Sequence, residues 1–248
     1  HALRKKFETN DQVTSEALEE WSLYLQKVVP PLKKQIRYWE ILNEANIWRF
    51  SDGPQKGERS MKPQKYVQVL RTAYETIKSI DPQLQVVGFS LATADYDYVR
   101  ACLKLGAARY MDVFTWHAYR EAADMPDVYT DLLKMKAMLK SFGFTGQTIN
   151  GEQYFSANLY MFHNHNAEVG RRYTVGADEE MLATGRIMQN YIHHAAAQVP
   201  WVIFTPGANL LKYGGQDRTY MYLAYGAYNA ATRMLNNVGK GRPIDMGG

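Results

Sequence analysis

The alternation of short apolar strands with amphipathic helices constrains the fold of this chain more than any other feature. Parallel strands need a crossover helix between them, so this order predicts an α/β protein with a helix-covered parallel sheet. The predicted strands are 36–43, 84–90, 111–117, 147–152 and 201–206. The predicted helices are 14–29, 63–80, 95–105, 127–142, 178–197 and 219–236, and a long polar loop covers 153–177.

Thr and Pro residues mark the predicted helix ends. Thr14 is a suitable N-cap, because its hydroxyl can accept a hydrogen bond from a free backbone N–H of the first turn. Pro30-Pro31 is predicted to stop that helix, since proline lacks the N–H that helix continuation needs. Pro63 is predicted to begin the next helix, where a missing N–H costs nothing.

The composition excludes several function classes. The formal net charge of +4 is spread over 248 residues without a dense basic tract, which makes no case for nucleic acid. The single cysteine, Cys102, excludes an internal disulfide framework and a zinc-ribbon site. No apolar run approaches the roughly 18 residues of a membrane-spanning helix, so we expect no membrane span.

Two architectures fit the alternation: an open doubly wound sheet and a closed (β/α)₈ barrel. Doubly wound nucleotide-binding sheets carry a glycine-rich phosphate turn, and neither G-x-G-x-x-G nor a Walker A sequence occurs here. Acidic residues stand instead at the C-terminal ends of predicted strands. Barrel enzymes place their chemistry at that end, so the acidic residues favour the barrel.

Two of these carboxylates suit hydrolysis of a glycosidic bond. Glu44 falls at the end of the predicted strand 36–43, where Glu40, Leu42 and Glu44 are expected to share one face until the strand ends. Glu152 closes the fourth predicted strand. Glycoside hydrolysis needs one protonated carboxyl group and one ionised carboxylate on either side of the bond. The alternative is that both residues are ordinary polar strand ends.

Four segments together resemble the clan A glycoside hydrolases, which are retaining (β/α)₈-barrel enzymes. They are Asn43-Glu44, the stretch DVFTWHAY at 112–119, Glu152, and WVIFT at 201–205. The resemblance implies that Glu44 is the general acid/base after the fourth barrel strand and that Glu152 is the nucleophile of the seventh. It also implies that Asn43 binds a sugar hydroxyl, and it places His117 and Tyr119 beside the nucleophile.

Two families of the clan are the nearest matches. The WHAY segment with Gly151-Glu152 resembles family 79, the heparanases and β-glucuronidases, and the sequence NEAN at 43–46 also suits family 39, the xylosidases and iduronidases. The resemblance implies an oligo- or polysaccharide substrate, uronate-containing chains among them, and neither a cofactor nor a metal ion. It also favours a secreted or periplasmic location.

The chain departs from the clan at its N-terminus. Only 35 residues with one helix precede the first predicted strand, so we expect strands 4–8 of the barrel and no visible counterpart of its first three βα units. Residues 1–238 are then an incomplete barrel domain, and 239–248 form a tail that leads to an accessory β-domain. Five strands leave two open sheet edges, so either another segment or another chain supplies the missing strands, or the barrel is remodelled.

Other residues carry weaker signals. His117 and Tyr119 are candidates for hydrogen bonds to the nucleophile or a sugar, and Trp48 for stacking on a sugar ring, with packing roles as the alternative. His163 and His165 lack a third metal ligand in register, and Arg171-Arg172 is most simply a solvated basic pair. His193, His194 and Cys102 are interpreted as structural.

Three functions therefore remain open from the sequence. The first is a retaining glycoside hydrolase. The second is a carbohydrate-binding or scaffold protein built on a glycosidase barrel without catalysis. The third is a metal-dependent α/β hydrolase that uses His163 and His165.

Overall fold

The fold was analysed in a computed structural model, which describes residues 13–47, 61–118, 127–153, 177–204, 211–214 and 218–221. The chain divides into two compact units. The first comprises residues 1–117 and 134–151, and the second comprises residues 118–133 and 152–248. Among the described residues, no helix is both long enough and apolar enough to cross a bilayer.

Helices and strands alternate along the described chain. They are α1 (Ser15–Leu32), β1 (Tyr38–Glu40), α2 (Pro63–Ile80), β2 (Gln85–Ala92), α3 (Tyr96–Lys104), a 3₁₀ turn (Ala107–Tyr110), β3 (Val113–His117), α4 (Asp127–Ser141), β4 (Gln147–Gln153), α5 (Ala177–Ala196), β5 (Val202–Phe204), β6 (Leu211–Gly214) and β7 (Arg218–Met221).

The predicted parallel sheet is confirmed. The strand order is β1-β2-β3-β4-β5, and the pairs β1–β2, β2–β3 and β3–β4 are parallel. A helix stands between successive strands, which is the order of consecutive βα units and is consistent with part of a (β/α)₈ barrel. The strands β6 and β7 form a separate antiparallel pair.

Helix α1 begins as predicted and ends later than predicted. The Thr14 hydroxyl accepts a hydrogen bond from the Ala17 backbone N–H at 3.2 Å, so Thr14 is the N-cap. The prediction that Pro30-Pro31 stops the helix is wrong, because both prolines lie inside it and it ends at Leu32. The two prolines remove two backbone N–H donors from the last turn alone, and the helix ends soon after them.

Two further predictions need correction. The strand predicted at 36–43 is shorter, because Leu42 and Glu44 have positive φ angles of 62° and 53° that end the extended backbone at Glu40. Glu40, Leu42 and Glu44 therefore do not continue one strand face. The helix predicted at 219–236 is wrong at its start, since Arg218–Met221 is a strand, and residues 222–248 lie outside the described residues.

An apolar cluster holds the sheet of the first unit together. Val87, Val113 and Ile149 come from three neighbouring strands and pack together, with Tyr38 of β1 against them. Helix α2 buries a stripe that includes Tyr66, Leu70, Ala73 and Ile77. Side chains alternate along a strand, so His117 of β3 lies on the same sheet face as Val113 and its cluster.

In the second unit, the last turn of α5 buries a histidine. His194 is 1% exposed, and its Nδ1 donates to the backbone carbonyl of Asn190 at 2.7 Å. Burial lowers the pKa of His194 to about 4, against the opposing effect of that hydrogen bond. The ring is therefore neutral in the folded protein at neutral pH, in agreement with the structural role predicted for it.

We predict that His194 makes this protein acid-sensitive. In the unfolded chain a histidine takes up its proton near pH 6.5, whereas the folded site resists protonation until about pH 4. The free energy of unfolding should therefore fall as the pH drops from 6.5 to 4, by at most about 3 kcal/mol from this residue. In denaturant titrations over that range, His194→Asn should be less pH-dependent than wild type. Equal slopes would contradict the assignment.

Candidate active site

Glu44 lies in a tight turn after β1 and is held by the backbone of β2. It is 5% exposed, and its N–H donates to the carbonyl of Ser90 at 2.8 Å. Its carbonyl accepts from the N–H of Ile47 at 3.0 Å. The φ angle of 53° is unfavourable for a residue with a Cβ, so these contacts keep Glu44 in a strained conformation.

A β-bulge next to Glu44 brings Ser90 into the site. Phe89 pairs with Thr115 and Leu91 pairs with Trp116, so Ser90 is an extra residue in β2 without a partner on β3. Phe89 and Ser90 have φ angles of 81° and 45°. Bulges of this kind redirect a side chain, and they are frequent beside active sites.

Tyr66 of α2 supports the bulge from the helix side. Its hydroxyl oxygen accepts a hydrogen bond from the backbone N–H of Phe89. Burial, and next the nearby Cys102, raise the pKa of Tyr66, so the phenol stays neutral. Tyr66 thus satisfies a buried backbone donor.

A chain of hydrogen bonds joins two glutamates through the end of β3. The Ser90 hydroxyl donates to Glu40 Oε1 at 2.6 Å, and its oxygen lies 3.0 Å from His117 Nε2. On the other side of the ring, His117 Nδ1 lies 2.9 Å from Glu44 Oε1. His117 is 1% exposed, whereas Glu40 is exposed. The buried imidazole therefore connects Glu44 to an exposed carboxylate.

Asn46 joins the turn after β1 to the end of β2. Its Nδ2 donates to the Ala92 carbonyl at 3.0 Å, and its Oδ1 accepts from the Ala92 N–H at 3.0 Å. The same amide nitrogen donates to Asp95, the N-cap of α3, at 3.2 Å. Asn46 thus pairs with Ala92 as a neighbouring strand would, two residues after Glu44.

The second predicted carboxylate lies at the end of β4. Strands β3 and β4 are parallel with Trp116 opposite Asn150, and Glu152 follows two residues later in β4. Glu152 is half-buried.

Gly151 is a glycine because its neighbours leave no room for a side chain. A Cβ there would lie 2.4 Å from Thr115 Oγ1 and 3.2 Å from Glu40 Oε2. The first contact is far below an ordinary van der Waals distance. The backbone of β4 can therefore approach β3 and the Glu40 carboxylate closely.

We assign no metal ion to the described residues of this site. Both ring nitrogens of His117 have hydrogen-bond partners, in Ser90 and Glu44. An imidazole needs a free lone pair to bind a cation. The arrangement suits proton transfer better than coordination.

The remaining candidates divide into described and undescribed residues. Asn43 is half-buried in the turn beside Glu44. Cys102 is buried in α3, and burial raises the pKa of its thiol, which agrees with a structural role. Outside the described residues lie Trp48, Tyr119, His163, His165, Arg171 and Arg172, together with the predicted tail 239–248.

Sequence reasoning missed Ser90 and the part that Glu40 plays. Glu40 was visible only as a polar residue on a strand face. Ser90 gave no signal, because a bulge shifts the register by one residue and period-2 alternation cannot reveal it. The hydrogen bond from His117 Nδ1 to Glu44 was not predicted, and the place of His117 beside the nucleophile stays a prediction.

Comparisons with known proteins bear on the fold. No family model matches the chain, and no curated protein matches it. Solved structures do match it over most of its length. One is a family 39 glycoside hydrolase from the gut symbiont Bacteroides cellulosilyticus WH2, with a TM-score of 0.61 at 15% identity, which covers 90% of this chain and 46% of that one.

Two other solved structures match comparably. A glucosidase from Croceicoccus marinus has a TM-score of 0.63 at 15% identity and covers 88% of this chain and 46% of that one. A monomeric β-xylosidase from Caulobacter crescentus CB15 has a TM-score of 0.56 at 16% identity and covers 92% and 47%. This chain therefore spans about half the length of the structures that it matches.

The chain shares the fold of glycoside hydrolases. The predicted α/β architecture is confirmed at the level of consecutive βα units, and the likeness supports their assignment to part of a (β/α)₈ barrel. Family 39 is named among the similar structures, whereas the resemblance to family 79 stays a prediction.

We predict that Asn46 is needed to hold the turn after β1. Asn46→Ala should lower the free energy of unfolding by about 1–3 kcal/mol, because it leaves the buried N–H and carbonyl of Ala92 without partners. Thermal or denaturant unfolding measures the loss. Gln85→Ala is the control, since its side-chain bond, at the start of β2, is exposed. Equal stability of Asn46→Ala and wild type would contradict the role.

Proposed function

We propose that this chain carries the catalytic half of a retaining glycoside hydrolase, with Glu44 as general acid/base and Glu152 as nucleophile. The βα units then correspond to strands 4–8 of the barrel. The likeness to a family 39 glycoside hydrolase supports this proposal at the level of the fold. The residue roles come from the sequence resemblance and from the geometry around Glu44.

One observation carries the proposal: the Glu44 carboxyl group is buried in the turn after β1, and its Oε1 lies 2.9 Å from Nδ1 of the buried His117. A general acid must keep its proton until the leaving oxygen takes it, and a buried hydrogen-bond partner suits that task. The retaining mechanism is taken from the sequence resemblance. It requires the two carboxyl groups to stand about 5–5.5 Å apart, so that the nucleophile can reach the anomeric carbon.

The reaction proceeds in two displacements. Glu152 attacks the anomeric carbon, the glycosidic C–O bond breaks, and Glu44 gives its proton to the leaving oxygen. The product is a glycosyl ester on Glu152. Glu44, now a carboxylate, then takes a proton from water as that water attacks the same carbon, which releases the sugar and restores both groups.

The substrate-binding residues in this proposal come from the sequence resemblance. Asn43, next to Glu44, would bind a sugar hydroxyl, Trp48 would stack on a sugar ring, and Tyr119 would contact the sugar or the nucleophile. His117, buried between Glu44 and Ser90, acts first on Glu44. The similar structures suggest xylosides and glucosides as the first aryl glycosides to test.

We predict that Glu44→Gln separates the two chemical steps. Glutamine cannot donate the acid proton, so turnover of an alkyl or phenyl glycoside should fall about 10²–10⁴-fold. A dinitrophenyl glycoside needs no acid for its first step, so its turnover should be limited by hydrolysis of the glycosyl ester on Glu152. Azide, which attacks without a general base, should then raise the rate and give a glycosyl azide.

A matched variant controls for loss of a carboxylate. Glu75→Gln removes an exposed glutamate of α2 whose partner is Arg71, and its rates should equal those of wild type. Full activity of Glu44→Gln on the alkyl glycoside would overturn the assignment of the acid/base.

We predict that Glu152 becomes covalently labelled. Fluorine at C2 of a 2-deoxy-2-fluoro glycosyl fluoride slows both steps, because it destabilises their positively charged transition states. The good leaving group at C1 speeds only formation of the ester, so the ester accumulates. Mass spectrometry of the intact chain should show one added glycosyl unit, and peptide mapping should place it on Glu152. A label on Glu40 would instead assign the nucleophile to β1.

The same assays address the carbohydrate-binding alternative. Binding of an oligosaccharide by wild type, with no turnover of any aryl glycoside and no covalent label, would favour a binding or scaffold role. Unchanged affinity in Glu44→Gln would then agree with that role.

A further inference from the structure

The hydrogen bonds around His117 specify where its protons lie. Ser90 has one hydroxyl hydrogen, and it is donated to Glu40 at 2.6 Å. The Ser90 oxygen can therefore only accept at its second contact, 3.0 Å from His117 Nε2. It follows that Nε2 carries a hydrogen and donates it to Ser90.

That tautomer determines what happens between His117 and Glu44. If Nε2 carries the hydrogen of a neutral ring, Nδ1 is an acceptor, and the 2.9 Å contact to Glu44 then needs a hydrogen on the Glu44 carboxyl group. If the ring is doubly protonated, the same hydrogen sits on Nδ1 and Glu44 is a carboxylate. In both cases the pair holds one proton between Nδ1 and Oε1.

We propose that Glu40 and Ser90 are positioning residues that hold the acid proton in the Glu44–His117 pair. This inference rests on the proposed function, because Glu44 needs that proton to act as the general acid. The exposed carboxylate of Glu40 fixes the Ser90 hydroxyl, Ser90 fixes the Nε2–H tautomer, and the tautomer leaves Nδ1 to share the proton with Glu44.

The backbone of β2 is strained in the way that this arrangement requires. Ser90 is the extra residue of the bulge and has a φ of 45°, a conformation that costs about 1–3 kcal/mol for a residue with a side chain. The Ser90 carbonyl also accepts the N–H of Glu44. One strained residue therefore positions Glu44 by its backbone and His117 by its side chain.

Other charges surround the pair and enter its pH dependence. Among the described residues, the titratable groups of the neighbouring elements include Glu40 of β1, Asp95 at the start of α3, Tyr66 of α2 and Glu152 of β4. Glu40 reaches the imidazole through the Ser90 hydroxyl. A change at Ser90 therefore alters the tautomer without removing any of these charges.

The test compares Ser90→Ala with Thr93→Ala. Both remove one hydroxyl from a residue with positive φ near the end of β2, but Thr93 is exposed and lies outside the hydrogen-bond chain described here. In Ser90→Ala the neutral ring can turn to the Nδ1–H tautomer and donate to a Glu44 carboxylate. The one hydrogen between Nδ1 and Oε1 then belongs to a neutral imidazole whose Nε2 is bare, so Glu44 has no acid proton to give to the leaving oxygen.

For Ser90→Ala we expect at least about a tenfold lower rate on an alkyl or phenyl glycoside and less than about a threefold change on a dinitrophenyl glycoside. The high-pH limb of the pH–rate profile on the poor substrate should move about one unit toward lower pH. Thr93→Ala should match wild type in both. Equal loss on both substrates, or no loss on either, would overturn the inference.

Glu40→Gln provides a second variant that retains the shape of the side chain. The Gln amide can donate to Ser90, which lets Ser90 turn its hydrogen toward Nε2, so the same selective loss is expected. Unfolding temperatures identify any variant that fails to fold. A Ser90→Ala chain that does not fold leaves Glu40→Gln to decide, and an unchanged leaving-group dependence there would refute the inference.

Nitrogen-15 spectra of His117 test the proton arrangement without any turnover. Wild type should show a hydrogen on Nε2, and Ser90→Ala should move it to Nδ1. A bare Nε2 in wild type would overturn the inference even if the chain is an active glycosidase. A protonated Nε2 in a chain that hydrolyses no glycoside would instead refute the proposed function and leave the hydrogen-bond assignment intact.

Discussion

The bulge at Ser90 is the constraint on which the site depends. In a regular strand, residue 90 would point to the sheet face opposite that of Val87, because side chains alternate. The hydrogen-bond chain from Glu40 to Glu44 could then not form. The extra residue is held at a cost in backbone strain, and Tyr66 supports it by accepting the freed N–H of Phe89. Strain of this kind persists where the surrounding structure over-determines it.

The strain is concentrated at one end of the sheet. Among the described residues, the non-glycine residues with positive φ are Leu42, Glu44, Phe89, Ser90, Thr93 and Gln198, and all but Gln198 lie at the ends of β1 and β2. The buried polar groups Glu44, Asn46 and His117 lie at the same end. Further back along the same strands, the side chains of Val87, Val113 and Ile149 form an apolar cluster. Stability and chemistry therefore occupy different parts of the same strands.

The bonds of His117 give a physical meaning to its burial. A histidine without partners in an apolar environment would be costly, but here each ring nitrogen has one. The partner of Nδ1 is the buried carboxyl group of Glu44. The partner of Nε2 is the Ser90 hydroxyl, which donates to the exposed carboxylate of Glu40. A buried ring with this asymmetry suits a group that must hold a proton in one step and release it in the next.

The sequence by itself determined the βα order, the position of most helices and strands, and both carboxylates as candidates. These follow from local signals: apolar periodicity, the Thr14 cap, and acidic residues where strands end. Pro30 and Pro31 were misjudged because a helix tolerates missing donors in its last turn, and the end of β1 was misjudged because positive φ at Leu42 and Glu44 leaves no trace in hydrophobic pattern.

Only the tertiary structure decided how the candidates are joined. His117 is 73 residues from Glu44 and 27 from Ser90 along the chain, so no local pattern could pair them. The bulge that turns Ser90 toward the histidine is a one-residue register shift between two strands, and its cause is packing between elements. Proximity of residues distant in sequence arises when the strands align, because hydrogen bonding between strands, and not the order of residues, sets which ends meet.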